Sequence, residues 1–352
     1  MSRALVTGGC GFIGSNLVHK LASMGWEIDV VDDLSSGLIE NLEGTNKRII
    51  TADTLHLYAN SFEVTDERDV LIICGDFAHE TVLGRISSNN YDYVFHLAAN
   101  PRVEFSVKYP QVTTEINVLK TVELFKACAD ANVKRVVFAS SSAVYGEPVE
   151  LPTSEVDATA PESPYGLQKL QGEQYATLFA KLYGLDVISL RFFNVYGPRQ
   201  LGDSPYSTAV SSWCNAIYND ESLRSDGDGT QSRDMVYVDD VVQANICAAS
   251  VSSDFAGSVY NIGSGDSITN NEIIEKLRAS FEDLQVTQAP AREGDVMHTL
   301  ADVSSARSDL GFEPNFTFDK GLDATLTWWD DRFPDEDFDD NSDDWDLDSE
   351  DD

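Results

Sequence analysis

The chain is poor in basic residues and has no long hydrophobic run. Lysine and arginine number 24 against 60 aspartates and glutamates, which gives the 352 residues a formal charge of −36 at pH 7. Such an acidic surface repels nucleic acid and anionic membranes, so neither is an expected partner. No apolar run approaches the ~18 residues of a membrane span, and the N-terminus has the pattern of a strand rather than a signal peptide. We therefore expect a soluble, cytoplasmic protein.

The acidic residues are spread over the whole chain. Twelve of them lie between Asp335 and Asp352, so the remainder holds 48 acidic and 24 basic residues, a formal charge of −24. We interpret this composition as halophilic, adapted to a cytoplasm rich in salt, where screening removes most of the self-repulsion. An acidic partner-binding surface is the alternative, but the excess is not confined to one block. Residues 333–352 are expected to form a disordered acidic tail.

Cysteine is also scarce, with five residues that form no CxxC pair and show no metal-ligand spacing. An odd, dispersed set predicts reduced structural thiols and no metal site. The chain length is sufficient for two lobes around buried cores, or for one larger domain. The cysteines are Cys10, Cys74, Cys128, Cys214 and Cys247.

The first fourteen residues have the pattern of a strand, a glycine turn and a helix. Gly8, Gly11 and Gly14 stand three apart, and apolar residues at helical spacing begin at Phe12 and Ile13. Backbone amides of such a turn can approach a pyrophosphate at the helix N-terminus, while the last glycine lets helix and strand pack closely. The turn therefore predicts a dinucleotide site.

A second apolar run, Glu27 to Val31, ends in Asp32. This is the position where a carboxylate accepts hydrogen bonds from an adenosine ribose, and its charge favours NAD over NADP. The alternative is that Asp32 and Asp33 merely open the turn that ends at Gly37.

Two later runs extend the predicted cofactor site. Val70 to Cys74 has a strand pattern, and Asp76 and Phe77 follow it, where the acid can reach an adenine amino group. Tyr93 to Asn100 is predicted to be a buried strand ending in the small residues Ala98 and Ala99, which leave room for a cofactor. His96 within it is interpreted as a packed strand residue, and residues 51–69 are assigned no function. A helix is predicted from Thr113 to Ala131.

Hydroxyl residues follow the next predicted strand, Arg135 to Ala139. Chemistry in an open α/β sheet is found at such strand ends, although a serine-rich turn is the plainer interpretation. Tyr165 and Lys169 are four apart at the start of a predicted helix and share one face. A phenol has an ordinary pKa near 10, and a nearby ammonium with an oxidised nicotinamide would lower it enough for a base.

The chain contains five motifs in order: TGGCGFIG from Thr7, HLAAN from His96, SSSAVYG from Ser140, YGLQK from Tyr165 and RFFNVYGPRQ from Arg191. Together they resemble the extended short-chain dehydrogenase/reductase family, and within it the NAD-dependent UDP-glucose and UDP-N-acetylglucosamine 4-epimerases. The resemblance extends to about Gly321. It departs from the family in a longer segment between Asn41 and Gly75 and in the lack of a second acid after Asp76.

The resemblance implies a catalytic hydroxyl at Ser141, a base at Tyr165 and, at Lys169, a residue that lowers the base's pKa and holds the nicotinamide ribose. For Arg233 and Arg292 the resemblance implies contacts with the two phosphates of the substrate, which guanidinium groups bind well. The alternative for these two arginines is surface ion pairing. The resemblance adds Asn117 to the cofactor contacts and implies substrate contacts at Ser142, Asn194, Arg233, Arg292, Asp295 and Thr299.

Alternating strands and helices predict an α/β fold, a Rossmann-type parallel sheet flanked by helices with a smaller C-terminal substrate-binding domain. We expect the NAD-binding domain at residues 1–194, with residues 235–265 returning to it, and the substrate-binding domain at residues 195–332. By resemblance, a homodimer would form through helices around residues 113–131 and 165–182.

The implied reaction is NAD-dependent 4-epimerisation of a UDP-sugar through a 4-keto intermediate. Family dehydratases carry an Asp-Glu pair directly after the catalytic hydroxyl, where this chain has Ser142 and Ala143. The resembling epimerases place the residue at Thr299 against the sugar's 2-substituent, so a small residue predicts acceptance of acetamido sugars, unless Thr299 starts a helix and points elsewhere. A UDP-glucuronate 4-epimerase, another nucleotide-sugar dehydratase or decarboxylase, and a non-catalytic dinucleotide sensor are the alternatives.

Overall fold

The computed structural model describes residues 2–58, 69–88, 90–202, 208–252, 255–291 and 296–333. Fourteen strands lie in these ranges: β1 (Arg3–Thr7), β2 (Glu27–Asp32), β3 (Asn46–Thr51), β4 (Asp69–Cys74), β5 (Tyr93–His96), β6 (Arg135–Ser141), β7 (Val187–Phe192), β8 (Asn194–Tyr196), β9 (Leu223–Asp226), β10 (Ser232–Arg233), β11 (Met235–Tyr237), β12 (Val259–Ile262), β13 (Ile268–Thr269) and β14 (Val286–Ala289).

Eight parallel strands form the main sheet, in the order β12-β7-β6-β5-β1-β2-β4-β3. Successive side chains of a strand point to opposite faces, and each face has its own core. On β1, Ala4 and Val6 pack into one core while Leu5 packs into the other. This arrangement confirms the predicted parallel sheet flanked by helices.

Helices at residues 12–23 and 238–250 cover one face of the sheet, and helices at residues 80–87, 120–130 and 164–183 cover the other. No helix of the described ranges is long and apolar enough to cross a membrane. The helices are α1 (Phe12–Ser23), α2 (Leu55–Tyr58), α3 (Glu80–Ser87), α4 (Val103–Lys108), α5 (Pro110–Thr114), α6 (Lys120–Asp130), α7 (Pro164–Tyr183), α8 (Ala209–Tyr218), α9 (Val238–Ser250), α10 (Asn270–Ser280) and α11 (Phe318–Arg332).

The C-terminal part of the chain contributes to two regions. β12 adds to the main sheet beside β7, whereas three short pairs, β8 with β11, β10 with β13 and β9 with β14, lie outside it. The domain boundaries stated above remain a prediction. The tail was predicted at residues 333–352. Of these residues only Phe333 is described, and residues 334–352 lie outside the described residues.

The structure differs from the sequence-based expectations at three elements. β3 is an additional edge strand beside β4, in a segment where no strand was predicted. β5 ends at His96 rather than at Asn100, because after Leu97 the next amide, that of Ala98, donates to the Thr7 hydroxyl instead of to a neighbouring strand. The helix predicted over 113–131 is interrupted by a π-helical turn, Glu115–Leu119, between α5 and α6.

Candidate active site

The glycine turn after β1 has the shape that a pyrophosphate requires. Gly8 has a φ of +71°, and a Cβ there would lie 2.9 Å from the Ala98 nitrogen. A Cβ on Gly14 would lie 2.1 Å from the Gly8 carbonyl oxygen. Because the N-cap of α1 is Gly11, no side chain caps the first turn, which begins at Phe12, and its amides are available to an anion. The predicted NAD diphosphate fits this cradle.

Asp32 lies at the end of β2, where its carboxylate organises the neighbouring loops. Oδ2 accepts a hydrogen bond from the Cys10 amide and Oδ1 one from the Leu34 amide, both at 2.9 Å. Burial raises the pKa of Asp32, and these amides oppose the rise. A Cβ on Gly37 would lie 2.8 Å from Oδ1. Asp32 therefore does open the turn, as the alternative supposed, while its ribose contact remains a prediction.

Asp76 lies in the loop after β4 that was predicted to hold adenine. Its Oδ1 accepts from the Ala78 amide at 2.9 Å, and its Oδ2 lies 2.6 Å from the Lys120 ammonium. The next side chain, Phe77, packs inward against the ring of His96, with centroids 4.9 Å apart. The contacts of both residues with the cofactor remain predictions.

His96 is a packed residue of the sheet, as predicted. Its Nδ1 lies 2.8 Å from the Thr7 hydroxyl and its Nε2 lies 2.9 Å from the Thr121 hydroxyl. Burial, aided by Lys169, lowers the pKa of His96 to about 3. The ring is therefore neutral at physiological pH and takes no part in proton transfer.

Asn117 joins the loop after β5 to α7. Its Oδ1 accepts from the Asn100 amide at 2.8 Å, and its Nδ2 donates to the Asn100 carbonyl and to Gln168 Oε1. Asn117 belongs to the π-helical turn, a feature often found at functional sites. These contacts hold the loop that carries Ala98 and Ala99. Direct contact of Asn117 with the cofactor remains a prediction.

The three predicted catalytic residues lie together between β6 and α7. The Ser141 side chain lies near that of Tyr165, and the Lys169 ammonium donates to the Ala139 carbonyl at 2.7 Å. The two elements approach closely because Gly166 lies against the Ala143 carbonyl, where a Cβ would come within 2.4 Å. In the sheet, β5 alone separates β6 from β1, so these residues lie beside the glycine turn.

Burial shifts the pKa values of Tyr165 and Lys169 in opposite directions. Burial raises the pKa of Tyr165, and the nearby Ser141 hydroxyl opposes the rise. Burial also lowers the pKa of Lys169 to about 8, opposed by the carboxylate of Glu173. The ammonium lies 5.9 Å from the Tyr165 ring centroid and is bound to Ala139. For the polypeptide by itself, burial therefore sets the direction of the Tyr165 pKa. The lowering expected from Lys169 together with an oxidised nicotinamide stays a prediction.

Two serines hold the backbone at Tyr165. The Tyr165 amide donates to the buried Ser106 hydroxyl, and the Gly166 amide donates to the Ser163 hydroxyl, both at 3.1 Å. Helix N-termini leave such amides without partners in the helix, and hydroxyls satisfy them. Ser106 was not predicted, because a serine on the separate helix α4 has no local sequence signal that points to Tyr165.

Two of the predicted substrate residues, Asn194 and Thr299, contact each other, and a third, Arg233, contacts the segment that leads to Thr299. The Thr299 hydroxyl accepts from the Asp234 amide at 3.1 Å and donates to Asn194 Oδ1 at 3.5 Å. Arg233 Nη1 donates to the Met297 carbonyl at 3.2 Å. Thr299 lies in an extended segment rather than at a helix start, so the alternative of a helix start is wrong. Ser142 begins the short 3-10 turn directly after Ser141, whereas Arg292 and Asp295 lie outside the described residues.

Asp234 is a buried carboxylate that sequence analysis did not single out. Its Oδ1 accepts from the amide and the hydroxyl of Ser264, both at 2.7 Å, and its Oδ2 accepts from the amides of Gly265 and Ala301. Burial raises the pKa of Asp234, and these donors oppose the rise. The Asp234 carboxylate thereby joins the loop at Ser264 and Gly265 to the segment at Ala301, close to Thr299.

Comparisons with known proteins agree with this geometry. The model of the NAD dependent epimerase/dehydratase family matches residues 4–263. A putative UDP-glucose 4-epimerase of Methanocaldococcus jannaschii is 34% identical over 92% of this chain and 97% of its own length. A UDP-glucuronate 4-epimerase of Thermodesulfobacterium geofontis is 29% identical over 93% of this chain and 96% of its own.

Solved structures of UDP-sugar 4-epimerases are also similar to this chain over most of its length. The UDP-N-acetylglucosamine 4-epimerase of Methanobrevibacter ruminantium, in complex with UDP-N-acetylmuramic acid, has a TM-score of 0.82 at 37% identity, covering 94% of this chain and 99% of that chain. The UDP-glucose 4-epimerase of Thermotoga maritima with UDP-glucose has a TM-score of 0.82 at 34% identity and the same coverage. The UDP-glucose 4-epimerase of Thermus thermophilus in complex with NAD has a TM-score of 0.78 at 29% identity, covering 93% and 98%.

Proposed function

The chain belongs to the NAD-dependent epimerase/dehydratase family, and from that premise we propose that it inverts the configuration at C4 of a UDP-sugar. The observation that carries the proposal is the group of Ser141, Tyr165 and Lys169 beside the glycine turn. An intact group of this kind argues against a non-catalytic sensor. Ser142 and Ala143 occupy the positions of the dehydratase Asp-Glu pair, and elimination of water needs such an acid and base.

NAD is the cofactor, and the chain supplies a place for each of its parts. The glycine turn takes the diphosphate, Asp32 the adenosine ribose, Asp76 the adenine and Lys169 the nicotinamide ribose. When bound, NAD supplies the reversible two-electron oxidation of C4.

Tyr165 moves the proton in this mechanism. It accepts the proton of the sugar's O4 as C4 is oxidised and returns it after the 4-keto sugar has turned its opposite face. The Ala143 amide donates to the Ser141 oxygen at 3.2 Å, which leaves the serine's own proton free to be donated toward O4. Lys169 carries the positive charge that favours the phenolate. The turning sugar requires a firm hold on the nucleotide, which we assign to Asn194, Arg233, Arg292 and Asp295.

The side chain of Thr299 sets the sugar range in this proposal. It is small and points at Asn194, so the 2-substituent of the sugar has room to be an acetamido group. We infer that UDP-GlcNAc and UDP-GalNAc are substrates along with UDP-Glc and UDP-Gal. The 37% identical UDP-N-acetylglucosamine 4-epimerase supports this range.

A panel of UDP-sugars, with separation of the products, tests the proposal. We expect interconversion of both sugar pairs, with Thr299→Tyr lowering kcat/KM for the acetamido pair alone by roughly 5- to 150-fold, because an overfilled pocket costs ~1–3 kcal/mol. Thr299→Ser is the matched control, since it keeps the hydroxyl that contacts Asp234 and Asn194. Equal losses on both pairs would contradict the role of Thr299. If UDP-glucuronate were the one UDP-sugar turned over, it would take the place of the proposed substrates.

We also propose that the protein is a homodimer. Helices α4, α5 and α7 and the π-helical turn Glu115–Leu119, which contact one another, expose a group of large apolar side chains, and a second copy of the same face can cover them. Analytical ultracentrifugation tests this, and a monomer at micromolar concentration would contradict it. The most exposed of these side chains are Val107, Leu119, Leu182 and Tyr183.

A further inference from the structure

Residues 141–144, which carry Ser141 at their start, are called the catalytic turn below. A buried ion pair lies next to this turn and has no part in the mechanism above. Glu173 of α7 and Arg191 of β7 form a two-pronged contact, with Nε to Oε1 at 2.9 Å and Nη2 to Oε2 at 2.7 Å. Both side chains are almost fully buried, at 4% and 6% exposure. A buried pair of this kind is costly unless its remaining donors and acceptors are satisfied, so its other partners matter.

Two of those partners flank the turn that carries Ser141. Ser140, directly before it, donates its hydroxyl hydrogen to Glu173. Tyr145, directly after the turn Ser142–Val144, accepts from Arg191 Nη1 at 2.7 Å, and the guanidinium lies 4.7 Å from its ring centroid. One ion pair therefore holds both ends of the catalytic turn.

The same pair is attached to the helix that carries the base. Glu173 lies four residues after Lys169 and eight after Tyr165 on α7, so the three share one side of that helix. The Tyr145 hydroxyl also donates to Asn261 Oδ1 of β12 at 2.7 Å, and Asn261 Nδ2 donates to the Thr153 carbonyl at 2.9 Å. The network thus fixes the turn, α7 and β12 relative to one another.

We propose that the Glu173–Arg191 pair, acting through Ser140 and Tyr145, holds the Ser141 side chain in place beside Tyr165. Glu173, Arg191 and Tyr145 are then positioning residues for the proton transfer. The inference rests on the proposed function, since it assigns Ser141 and Tyr165 their roles. A purely structural pair would contribute to stability and leave the contribution of Ser141 to turnover untouched.

A double-mutant cycle in kcat distinguishes a positioning role of the ion pair from a purely structural one. Tyr145→Phe keeps the ring under the guanidinium and removes only the hydroxyl. In the NAD-loaded enzyme we expect Tyr145→Phe to lower kcat about 10-fold with KM within about 2-fold, a coupling usual within one hydrogen-bond network. In a Ser141→Ala background the same change should lower kcat less than about 2-fold, because the group that it positions is gone.

The chain offers a matched control in a second buried cluster, where the Tyr91 hydroxyl donates to Asp29 at 2.6 Å and accepts from Arg85 at 2.8 Å. This cluster lies away from the catalytic turn, so Tyr91→Phe should lower stability and leave kcat unchanged. If Tyr145→Phe does not fold, Ser140→Ala tests the other end of the turn in the same cycle.

Equal losses of kcat in both backgrounds, or wild-type kcat for a folded Tyr145→Phe, would overturn the inference and leave the proposed function standing. Unchanged kcat for Ser141→Ala alone would refute the proposed role of Ser141, and this inference with it.

Discussion

The cost of keeping Lys169 charged inside the protein can be measured. The side chain is 4% exposed, and its ammonium lies 5.1 Å from the Phe138 ring centroid and 2.7 Å from the Ala139 carbonyl oxygen. Burial lowers its pKa from 10.5 to about 8 despite the nearby Glu173. That lowering corresponds to about 3 kcal/mol by which the fold disfavours the charged form.

Lys169→Met removes the charge and keeps the length of the side chain. The lost hydrogen bond to Ala139 offsets about 1.5–2 kcal/mol of the gain, since bonds to charged groups contribute ~1.5–3 kcal/mol. We therefore expect the variant to be about 1 kcal/mol more stable at pH 7 and to turn over substrate far more slowly. Urea unfolding of the nucleotide-free proteins at one KCl concentration measures the difference.

The pH dependence gives the sharper test. The folded-state pKa of Lys169 is below its unfolded value, so between about pH 8 and 10.5 the unfolded wild type binds more protons than the folded one. Wild-type stability must then rise with pH relative to Lys169→Met, by about 3 kcal/mol across the window. A Lys169→Met difference that is constant from pH 7 to 10.5 would refute the lowered pKa.

Two further predictions concern the base and the surface charge. Tyr165→Phe should leave NAD bound, as judged from the nucleotide released on denaturation, and lower turnover at least ~100-fold. Ser141→Ala should lower it less, and near-normal turnover of Tyr165→Phe would refute the mechanism. Melting temperature and activity should rise with KCl into the molar range, where the Debye length is about 3 Å. Deleting residues 335–352 should change this salt dependence little, since a formal charge of −24 remains. A melting temperature that is highest at low ionic strength would contradict the prediction.

The main sheet was predictable because its signals are local. Short apolar runs bounded by small or polar residues mark β1, β2, β4, β5 and β6, and the glycine turn fixes where α1 begins. β3 escaped prediction because it is an edge strand with a half-polar sequence, Asn46–Thr51, and only its pairing with β4 makes it a strand. The π-helical turn was missed for a similar reason. Asn117 of this turn pairs with Asn100, seventeen residues away, and no local sequence pattern indicates that pairing.

The candidate site divides in the same way. Ser141, Tyr165 and Lys169 lie in motifs that can be recognised along the chain, and the structure brings them together. Asp234 and Glu173 act through partners that lie far away in sequence, such as Ala301 at a separation of 67 residues. The direction of the Tyr165 pKa was also beyond the sequence, because a motif identifies nearby charges but not the burial that outweighs them.

The placement of the scarce bases connects the acidic surface with the site. The chain has only 24 basic residues, and in the part that the structure describes three arginines are buried, each paired with one carboxylate. An unpaired buried carboxylate would cost several kcal/mol, whereas exposed carboxylates can be screened by salt. Salt should therefore act on the surface and leave these pairs, including the one beneath the catalytic turn, unchanged. It follows that KCl should raise the folded fraction far more than the kcat of each folded molecule. The pairs are Arg85 with Asp29, Arg135 with Asp186 and Arg191 with Glu173.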